Sequence, residues 1–196
     1  MDKAALRQAQ LDRLRAVPLE QRAQWSAEII QQLISWPVFQ AAIRILVYAP
    51  LANEPDLLPL LDHPAAKGKT FAMPRVNGTM LDLHHITNAD QLIRPSNWLR
   101  EPDPARCPLV SLAEIQLILI PALAFDPATG IRLGRGGGYY DRMLADPAFR
   151  GATAGVCFPI SLIANIPREP HDTPMHDLVS PDAIRKINNP NIHGDS

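Results

Sequence analysis

Three short apolar runs, each followed within two residues by a proline, limit what this 196-residue chain can fold into. The runs are IRILVY at 43–48, IQLILI at 115–120 and ATAGVCF at 152–158. A run of this kind is typical of a buried strand, and proline ends such a strand because it cannot donate to the ladder. Two segments with apolar residues at helical spacing, 2–16 and 19–36, precede the first run. This alternation predicts an α/β domain with a central, mostly parallel sheet, with 115–120 as its central strand.

Weaker signals predict the remaining elements. A strand is expected at 69–73, ended by Pro74. The dipeptide Asn77-Gly78 is a strong hairpin-turn signal, and the strand-like segment 79–86 follows it. A further helix is expected after the densest group of glycines. In parallel sheets, ligands bind where loops leave the carboxyl ends of strands, so we look for a site in the segments that follow strands.

Composition excludes several classes of protein. Apolar residues make up 46% of the chain and charged residues 20%, which is ordinary for a folded chain and excludes a disordered one. The 19 basic and 20 acidic residues give a formal net charge of −1, so a broad nucleic-acid surface is not expected. The longest apolar stretch, 117–125, is too short to cross a bilayer, and residues 1–15 lack the apolar core of a signal peptide. We expect a cytoplasmic protein with no nucleic-acid or membrane partner.

Length and cysteine content suggest a simple organisation. Residues 1–187 are expected to form a single domain, since domains usually contain about 100–200 residues. The polar segment 188–196 is expected to be a flexible tail. Cys107 and Cys157 lie far apart and form no CxxC pair, so neither a zinc knuckle nor a redox pair is indicated.

The segment with the clearest chemical potential follows the central strand. Five of the ten glycines fall within 130–138, directly before the expected helix. Glycines let a backbone approach a ligand closely, and successive N–H groups before a helix form an anion site. Arg132 and Arg135 could supply positive charge to a polyphosphate. Asp141, just inside the helix, could hold a divalent cation through an oxygen ligand.

The residues alone leave alternatives open. No Lys-Ser/Thr follows the glycines, so the segment is not a Walker A loop, and Tyr139 breaks the Rossmann GxGxxG pattern. The segment could instead be a flexible surface loop with solvated arginines. Tyr139 and Tyr140 argue against a disordered linker, although they could simply pack the following helix into the core.

The segment that contains these glycines resembles a known family. The segment RLGRGGGYYDR at 132–142 is similar to the signature of 5-formyltetrahydrofolate cyclo-ligases, also called 5,10-methenyltetrahydrofolate synthetases. The preceding PALAFDPATG at 121–130 resembles the family's lead-in to that signature, with Ala122 where glycine is commoner. Gly137 stands where some members have a phosphate-binding lysine.

Other pieces of the resemblance extend over nearly the whole chain, from Lys3 to about residue 180. They are the basic pair Lys3 and Arg7, Tyr48 with Glu54 six residues later, Trp98 to Pro102 (WLREP), Ile166-Pro167, and Asp177 in the C-terminal segment. Each is weak alone, but they occur in the family's order.

The resemblance implies a fold and an activity. The fold would be three-layer α/β/α, similar to the sugar-phosphate isomerase and CoA-transferase group. Family members convert the small molecule 5-formyltetrahydrofolate and ATP to 5,10-methenyltetrahydrofolate, ADP and phosphate, with Mg²⁺. We expect a monomer. Two rivals remain: a related ATP-dependent enzyme that acts on another formylated or carboxylated molecule, and a folate- or nucleotide-binding protein without activity.

The resemblance also implies roles for residues. Arg135 and Tyr139 would be catalytic, and Asp141 and Asp177 would hold Mg²⁺. The ATP-binding residues would be Lys3, Arg7, Arg132, Gly134, Arg135, Gly136, Gly137, Gly138, Tyr139 and Tyr140. The folate would contact Glu54, Trp98, Arg135, Gly136, Gly138 and Tyr139.

Overall fold

The three apolar runs become neighbouring strands of one sheet in the computed structural model, which describes residues 2–96 and 99–188. Trp98 and most of the predicted tail, 189–196, therefore lie outside the described residues. In chain order the helices and strands are α1 (Lys3–Ala16), α2 (Leu19–Ser35), α3 (Pro37–Ala41), β1 (Arg44–Leu46), β2 (Thr70–Asn77), β3 (Met80–Ile86), β4 (Leu92–Ile93), β5 (Glu101–Pro102), β6 (Leu117–Pro121), β7 (Ala124–Phe125), β8 (Arg132–Leu133), α4 (Tyr139–Leu144), β9 (Ala152–Val156), β10 (Asp177–Val179) and β11 (Ile184–Lys186).

The main sheet has seven strands in the order β11-β10-β9-β6-β1-β2-β3. The five inner strands run parallel, and β3 and β11 are antiparallel edges. The predicted central strand, β6, lies in the middle, between β1 and β9. The prediction of an α/β fold with a mostly parallel sheet is confirmed. Two small antiparallel pairs, β4–β5 and β7–β8, lie outside the main sheet.

Side chains of the inner strands alternate between two apolar clusters, because successive residues of a strand point to opposite faces. One face packs against α1, α2 and α3, and its strand residues include Ile45, Leu117, Leu119, Ala154 and Val156. The other face packs against α4, and its strand residues include Leu46, Ile118, Ile120 and Leu178. Helices on both faces explain why the central strand β6 is apolar throughout. Among the described residues, no helix is both long and apolar enough to cross a bilayer.

The element boundaries follow local chemistry, with one exception. Asp2 caps α1 by accepting a hydrogen bond from the Ala5 amide at 2.8 Å, and Pro18 separates α1 from α2. The prediction that Pro74 ends its strand is wrong, since β2 continues to Asn77. The partner strand β1 stops opposite Ala72, so a proline two residues later removes no hydrogen bond to β1.

The order of the strands determines where a site can form. From β1 the chain proceeds to β2 on one side of the sheet, whereas from β6 it proceeds to β9 on the other. Loops that leave the carboxyl ends of β1 and β6 therefore diverge and open a crevice between them. Such a switch point is the usual ligand-binding position in open α/β sheets.

Candidate active site

A cavity of about 330 Å³ lies at this switch point. Tyr48 and Ala49 line it after β1, and Pro121 and Ala122 line it at the end of β6. Its other walls come from β2, the first turns of α1, the segment 169–172 and residues 99–101. Residues 134–138, hereafter the glycine loop, also line the cavity.

The glycine loop follows a tight hairpin and leads into α4. The buried carboxylate of Asp126 fixes the hairpin, because it accepts hydrogen bonds from the amides of Ala128, Thr129 and Asn165. Gly136 and Gly138 have φ angles of +101° and +66°, in a region that favours glycine strongly. Within the described residues, no acceptor takes the amide N–H groups of 135–138. These donors are free for a ligand, as the anion-site prediction requires.

Lys3 lies at the end of the cavity where α1 meets the segment 169–172. Its ammonium is 2.7 Å from Asp172 and 3.0 Å from Glu169. Burial alone would lower the pKa of Lys3, but the hydrogen bonds to both carboxylates outweigh it and raise the pKa. Burial likewise raises the pKa of Asp172, yet the Lys3 ammonium and the Glu169 amide hold it below its usual value. This ion pair fastens the start of α1 to the cavity wall.

The arginines predicted to bind phosphate also have partners within the protein. Arg7 donates from Nε to the Gly134 carbonyl at 2.9 Å, which ties α1 to the glycine loop. Arg132 is buried and donates to the Thr173 carbonyl at 2.8 Å and to the Asp141 carboxylate. Burial lowers the pKa of Arg132, and the charge of Asp141 opposes that shift.

Glu54 and Arg135 form an ion pair inside the cavity. The Glu54 side chain is only 8% exposed. Its carboxylate accepts hydrogen bonds from Arg135 Nε at 3.2 Å and from the Leu51 amide at 3.0 Å. The Arg135 guanidinium also donates to the Asn53 side chain at 2.8 Å. Burial raises the pKa of Glu54, and the Leu51 amide and Arg135 partly oppose this shift.

The two tyrosines of the signature have different environments. Burial raises the pKa of the Tyr140 phenol strongly. The Tyr139 ring covers Gly137, where a Cβ atom would be 2.7 Å from the ring. A lysine at 137, as in some family members, would therefore require the Tyr139 ring to move.

The structure separates the two aspartates that were predicted to hold a metal. Asp141 lines the cavity, where its carboxylate is a suitable oxygen ligand for Mg²⁺. Asp177 is not among the cavity-lining residues. It lies half-buried in β10, where burial raises its pKa and the charge of Lys186 opposes the shift.

Two carboxylates and a histidine lie close together at the rim of the cavity. They belong to Glu169, His171 and Asp172. The His171 Nε2 lies 3.3 Å from the Glu169 carboxylate. The Lys3 ammonium already lies between the two carboxylates, so a positive charge is supplied there by the protein.

The same arrangement of elements occurs in known proteins. Residues 1–181 match the family model described as the 5-formyltetrahydrofolate cyclo-ligase family. The chain belongs to this family. A 5-formyltetrahydrofolate cyclo-ligase of Mycolicibacterium smegmatis is 33% identical over 184 residues, which cover 91% of this chain and 93% of that protein. The mouse 5-formyltetrahydrofolate cyclo-ligase is 27% identical over 192 residues, or 92% of this chain and 94% of that protein.

Solved structures agree with this membership. The NMR structure of Aquifex aeolicus 5,10-methenyltetrahydrofolate synthetase superimposes with a TM-score of 0.83 at 30% identity, covering 100% of this chain and 96% of that chain. The Mycoplasma pneumoniae 5,10-methenyltetrahydrofolate synthetase has the same fold, with a TM-score of 0.76 at 20% identity over 92% of this chain and 99% of that chain.

In this cyclo-ligase family member, the structure brings most of the predicted site residues to one cavity. The predicted residues that line it are Lys3, Arg7, Glu54, Arg132, Gly134, Arg135, Gly136, Gly137, Gly138, Tyr139, Tyr140 and Asp141. Asp177 lies outside this set, and Trp98 falls outside the described residues. Leu99 and Arg100, which directly follow Trp98, do line the cavity.

Sequence reasoning missed two buried acids in the cavity wall. Apart from the polar residues around it, nothing in the sequence indicated that Asp172 belongs to a site. Glu101 belongs to the WLREP piece of the resemblance, which carried no role for it. Its carboxylate is 4% exposed, accepts from the Val76 amide at 3.0 Å and lies 3.7 Å from Arg75, so it joins β5 to β2 along the cavity.

Proposed function

We propose that this chain converts 5-formyltetrahydrofolate to 5,10-methenyltetrahydrofolate, with consumption of ATP, a requirement for Mg²⁺, and release of ADP and phosphate. One observation carries the proposal: a single cavity contains both the glycine loop with its unused amide donors and the Glu54–Arg135 pair. The first can receive a polyphosphate and the second can receive a polar heterocycle beside it. Membership of the cyclo-ligase family supports 5-formyltetrahydrofolate as the proposed substrate.

The reaction that we propose has two steps. The formyl group on N5 is an amide, so its oxygen is a poor leaving group. Transfer of the γ-phosphoryl group of ATP to the formyl oxygen forms an O–P bond and releases ADP. N10 then attacks the formyl carbon, the carbon–oxygen bond breaks, and phosphate leaves with that oxygen while N10 loses its proton.

Phosphoryl transfer depends on positioning and charge neutralisation more than on acid–base chemistry. The glycine-loop amides supply donors at fixed positions, and Arg135 supplies a mobile positive charge, with a side chain that is 38% exposed. Lys3, Arg7 and Arg132 add positive charge along the same wall.

The donor set fits a Mg²⁺ ion that enters with ATP. Asp141 offers a carboxylate in the first turn of α4, and it lines the same cavity as the glycine loop. Mg²⁺ usually takes one or two protein carboxylates and completes its shell with phosphate oxygens and water. Bound there, the ion would neutralise charge on the phosphates. We do not include Asp177 in this set, because it does not line the cavity.

The folate end of the cavity would use Glu54. Its carboxylate can accept hydrogen bonds from pterin nitrogens, provided that Arg135 turns to the phosphate and releases one oxygen. Tyr139, whose ring covers Gly137, lines the same cavity and would contact both substrates. The sequence position of Trp98, directly before the lining residues Leu99 and Arg100, is consistent with its proposed contact to the folate.

The decisive experiment follows absorbance during turnover. The purified protein is mixed with 5-formyltetrahydrofolate, ATP and Mg²⁺, and the conjugated methenyl product is detected in the near ultraviolet. A rise that requires all three components supports the proposal. ADP release with another formylated substrate alone would favour the related enzyme, and binding of ATP without ADP release would favour the binding protein. Arg150→Ala serves as a matched control for arginine variants, because Arg150 is exposed and no described hydrogen bond involves it.

A further inference from the structure

Arg142 connects three parts of the site without entering the cavity. It lies in α4, and its side chain is exposed. Its Nε donates to the Thr79 carbonyl at 2.8 Å, and its Nη2 donates to the Gly137 carbonyl at 2.7 Å. The guanidinium carbon lies 5.2 Å from the centre of the Tyr139 ring. Arg142 therefore contacts the β2–β3 turn, the glycine loop and a residue proposed to be catalytic.

The bond to Gly137 determines the orientation of one peptide group. In a trans peptide the C=O and the following N–H point in opposite directions. The Gly137 carbonyl points to Arg142, which is not a lining residue of the cavity, whereas Gly137 and Gly138 are. The Gly138 N–H is thereby directed to the cavity side. No acceptor among the described residues takes it.

The contact to Thr79 makes this orientation rigid. Residues 71–77 of β2 pair with 80–86 of β3 in continuous register, so the turn between the two strands is a fixed point. A guanidinium can bind both carbonyls at once because its donors form a planar fork. The space around it is filled, since a Cβ atom on Gly138 would be 2.7 Å from Arg142 Nη1. At the other end of the loop, Arg7 holds the Gly134 carbonyl in a similar way.

We propose that Arg142 is a positioning residue that turns the Gly138 amide into the cavity as a fixed donor to a phosphate oxygen of ATP. This inference rests on the proposed function. In this view, backbone N–H donors of the loop bind the phosphate, and a side chain outside the cavity sets their direction. Such donors stabilise charge well because they need no reorganisation when the substrate binds.

The test compares Arg142→Ala with wild type in the methenyl absorbance assay. Loss of the bridge frees the Gly137–Gly138 peptide to rotate, so we expect the KM for ATP to rise about tenfold, the effect of one hydrogen bond to a charged group. The KM for 5-formyltetrahydrofolate should change less than about twofold. Calorimetric titration with ATP alone should show the same loss of affinity as the KM. Arg150→Ala, the exposed control, should change neither constant.

Two further measurements separate positioning from stability. Arg142→Lys can engage only one of the two carbonyls, so its KM for ATP should lie between those of wild type and Arg142→Ala. Because the site is exposed, added methylguanidinium should lower the KM for ATP of Arg142→Ala and leave wild type unchanged. A purely structural role would not give this rescue. If Arg142→Ala fails to fold, the lysine variant and the calorimetric titration give the same comparison.

Three results would overturn the inference. They are an unchanged KM for ATP in folded Arg142→Ala, an equal rise in both KM values, and a fall in kcat alone, which would place the effect on Tyr139. Inactivity of the wild-type protein would instead contradict the proposed function, so the two failures are distinguishable.

Discussion

Arg135 Nε lies 3.2 Å from a carboxylate oxygen of Glu54, and this pair joins the part of the cavity proposed for phosphate to the part proposed for the folate. The two residues are 81 positions apart in the chain. In the proposed reaction, each substrate would break this contact, because phosphate attracts the arginine and pterin nitrogens attract the carboxylate. Binding of either substrate should therefore release the partner that the other needs.

Arg135→Ala should abolish most of the activity and leave the fold intact. The side chain is more than one-third exposed and its partners lie in the site, so the core does not depend on it. Removal of one oxyanion-binding donor typically costs about 10²–10³ in kcat, and we expect a loss in that range. Turnover is measured by methenyl absorbance and folding by thermal unfolding, with Arg150→Ala as control. Loss of the unfolding transition would instead give Arg135 a structural role.

The Glu54 carboxylate should make folate binding dependent on pH. Burial raises its pKa, and Arg135 opposes that shift. An acid with a raised pKa becomes protonated at a higher pH, and Arg135→Ala removes the opposing charge. The pH below which 5-formyltetrahydrofolate affinity falls should therefore move upward in this variant. Calorimetric titrations from pH 4 to pH 8 measure the midpoint, and an unchanged or lower midpoint would count against Glu54 as the titrating group.

Asp141→Asn should weaken the dependence on Mg²⁺. Asparagine keeps an oxygen acceptor for Arg132 but loses the charge that a divalent cation prefers. We expect the half-saturating Mg²⁺ concentration to rise about tenfold, with ATP at a fixed concentration. The same titration of Asp177→Asn should match wild type, since Asp177 does not line the cavity. A shift in Asp177→Asn and not in Asp141→Asn would restore the predicted role of Asp177 and remove Asp141.

Asp172→Asn should destabilise the protein in a pH-dependent manner. The pKa of Asp172 is lowered in the folded state despite burial, mainly by Lys3, so its contribution to stability is present above the unfolded pKa of about 3.9. That contribution is lost as the pH falls through the folded pKa. We expect a loss of about 2 kcal/mol at pH 7 and a fall in Tm of about 4–8 °C.

The control for this prediction is Asp182→Asn, because Asp182 is exposed and has no described ion pair. Thermal unfolding at pH 7 should separate Asp172→Asn from both wild type and this control. The difference should diminish as the pH falls through the lowered folded-state pKa of Asp172, since the carboxylate is then protonated in the folded protein as well. A constant difference at all pH values would mean that packing, and not the Lys3 ion pair, stabilises this region.

The sheet could be predicted from the sequence because burial on both faces leaves a direct signal. The run at 115–120 is apolar throughout, and it became the central strand. The prediction that Pro74 ends its strand was wrong because a proline interrupts a sheet only if the neighbouring strand extends that far. No local sequence pattern gives the length of the neighbouring strand. That length is a property of β1, 28 residues earlier in the chain at Leu46.

The site could be predicted where its residues are contiguous. The segment 132–142 contains both the glycine loop and the acid of α4, and the resemblance to a family signature drew attention to it. Asp172 and Thr79 could not be found in this way. Asp172 matters because it meets Lys3 from 169 positions away, and Thr79 contributes only a backbone carbonyl, which every residue possesses.

The polar anchoring of α1 has a consequence for the order in which the molecule is built. This helix buries only Gln10 and Leu14, and the acceptors for its polar side chains are Gly134, Ile160, Glu169 and Asp172. Docking of α1 therefore depends on acceptors that lie between 127 and 169 positions later in the chain. Until the segment 169–172 is in place, the cavity lacks the wall to which Lys3 fastens the start of α1.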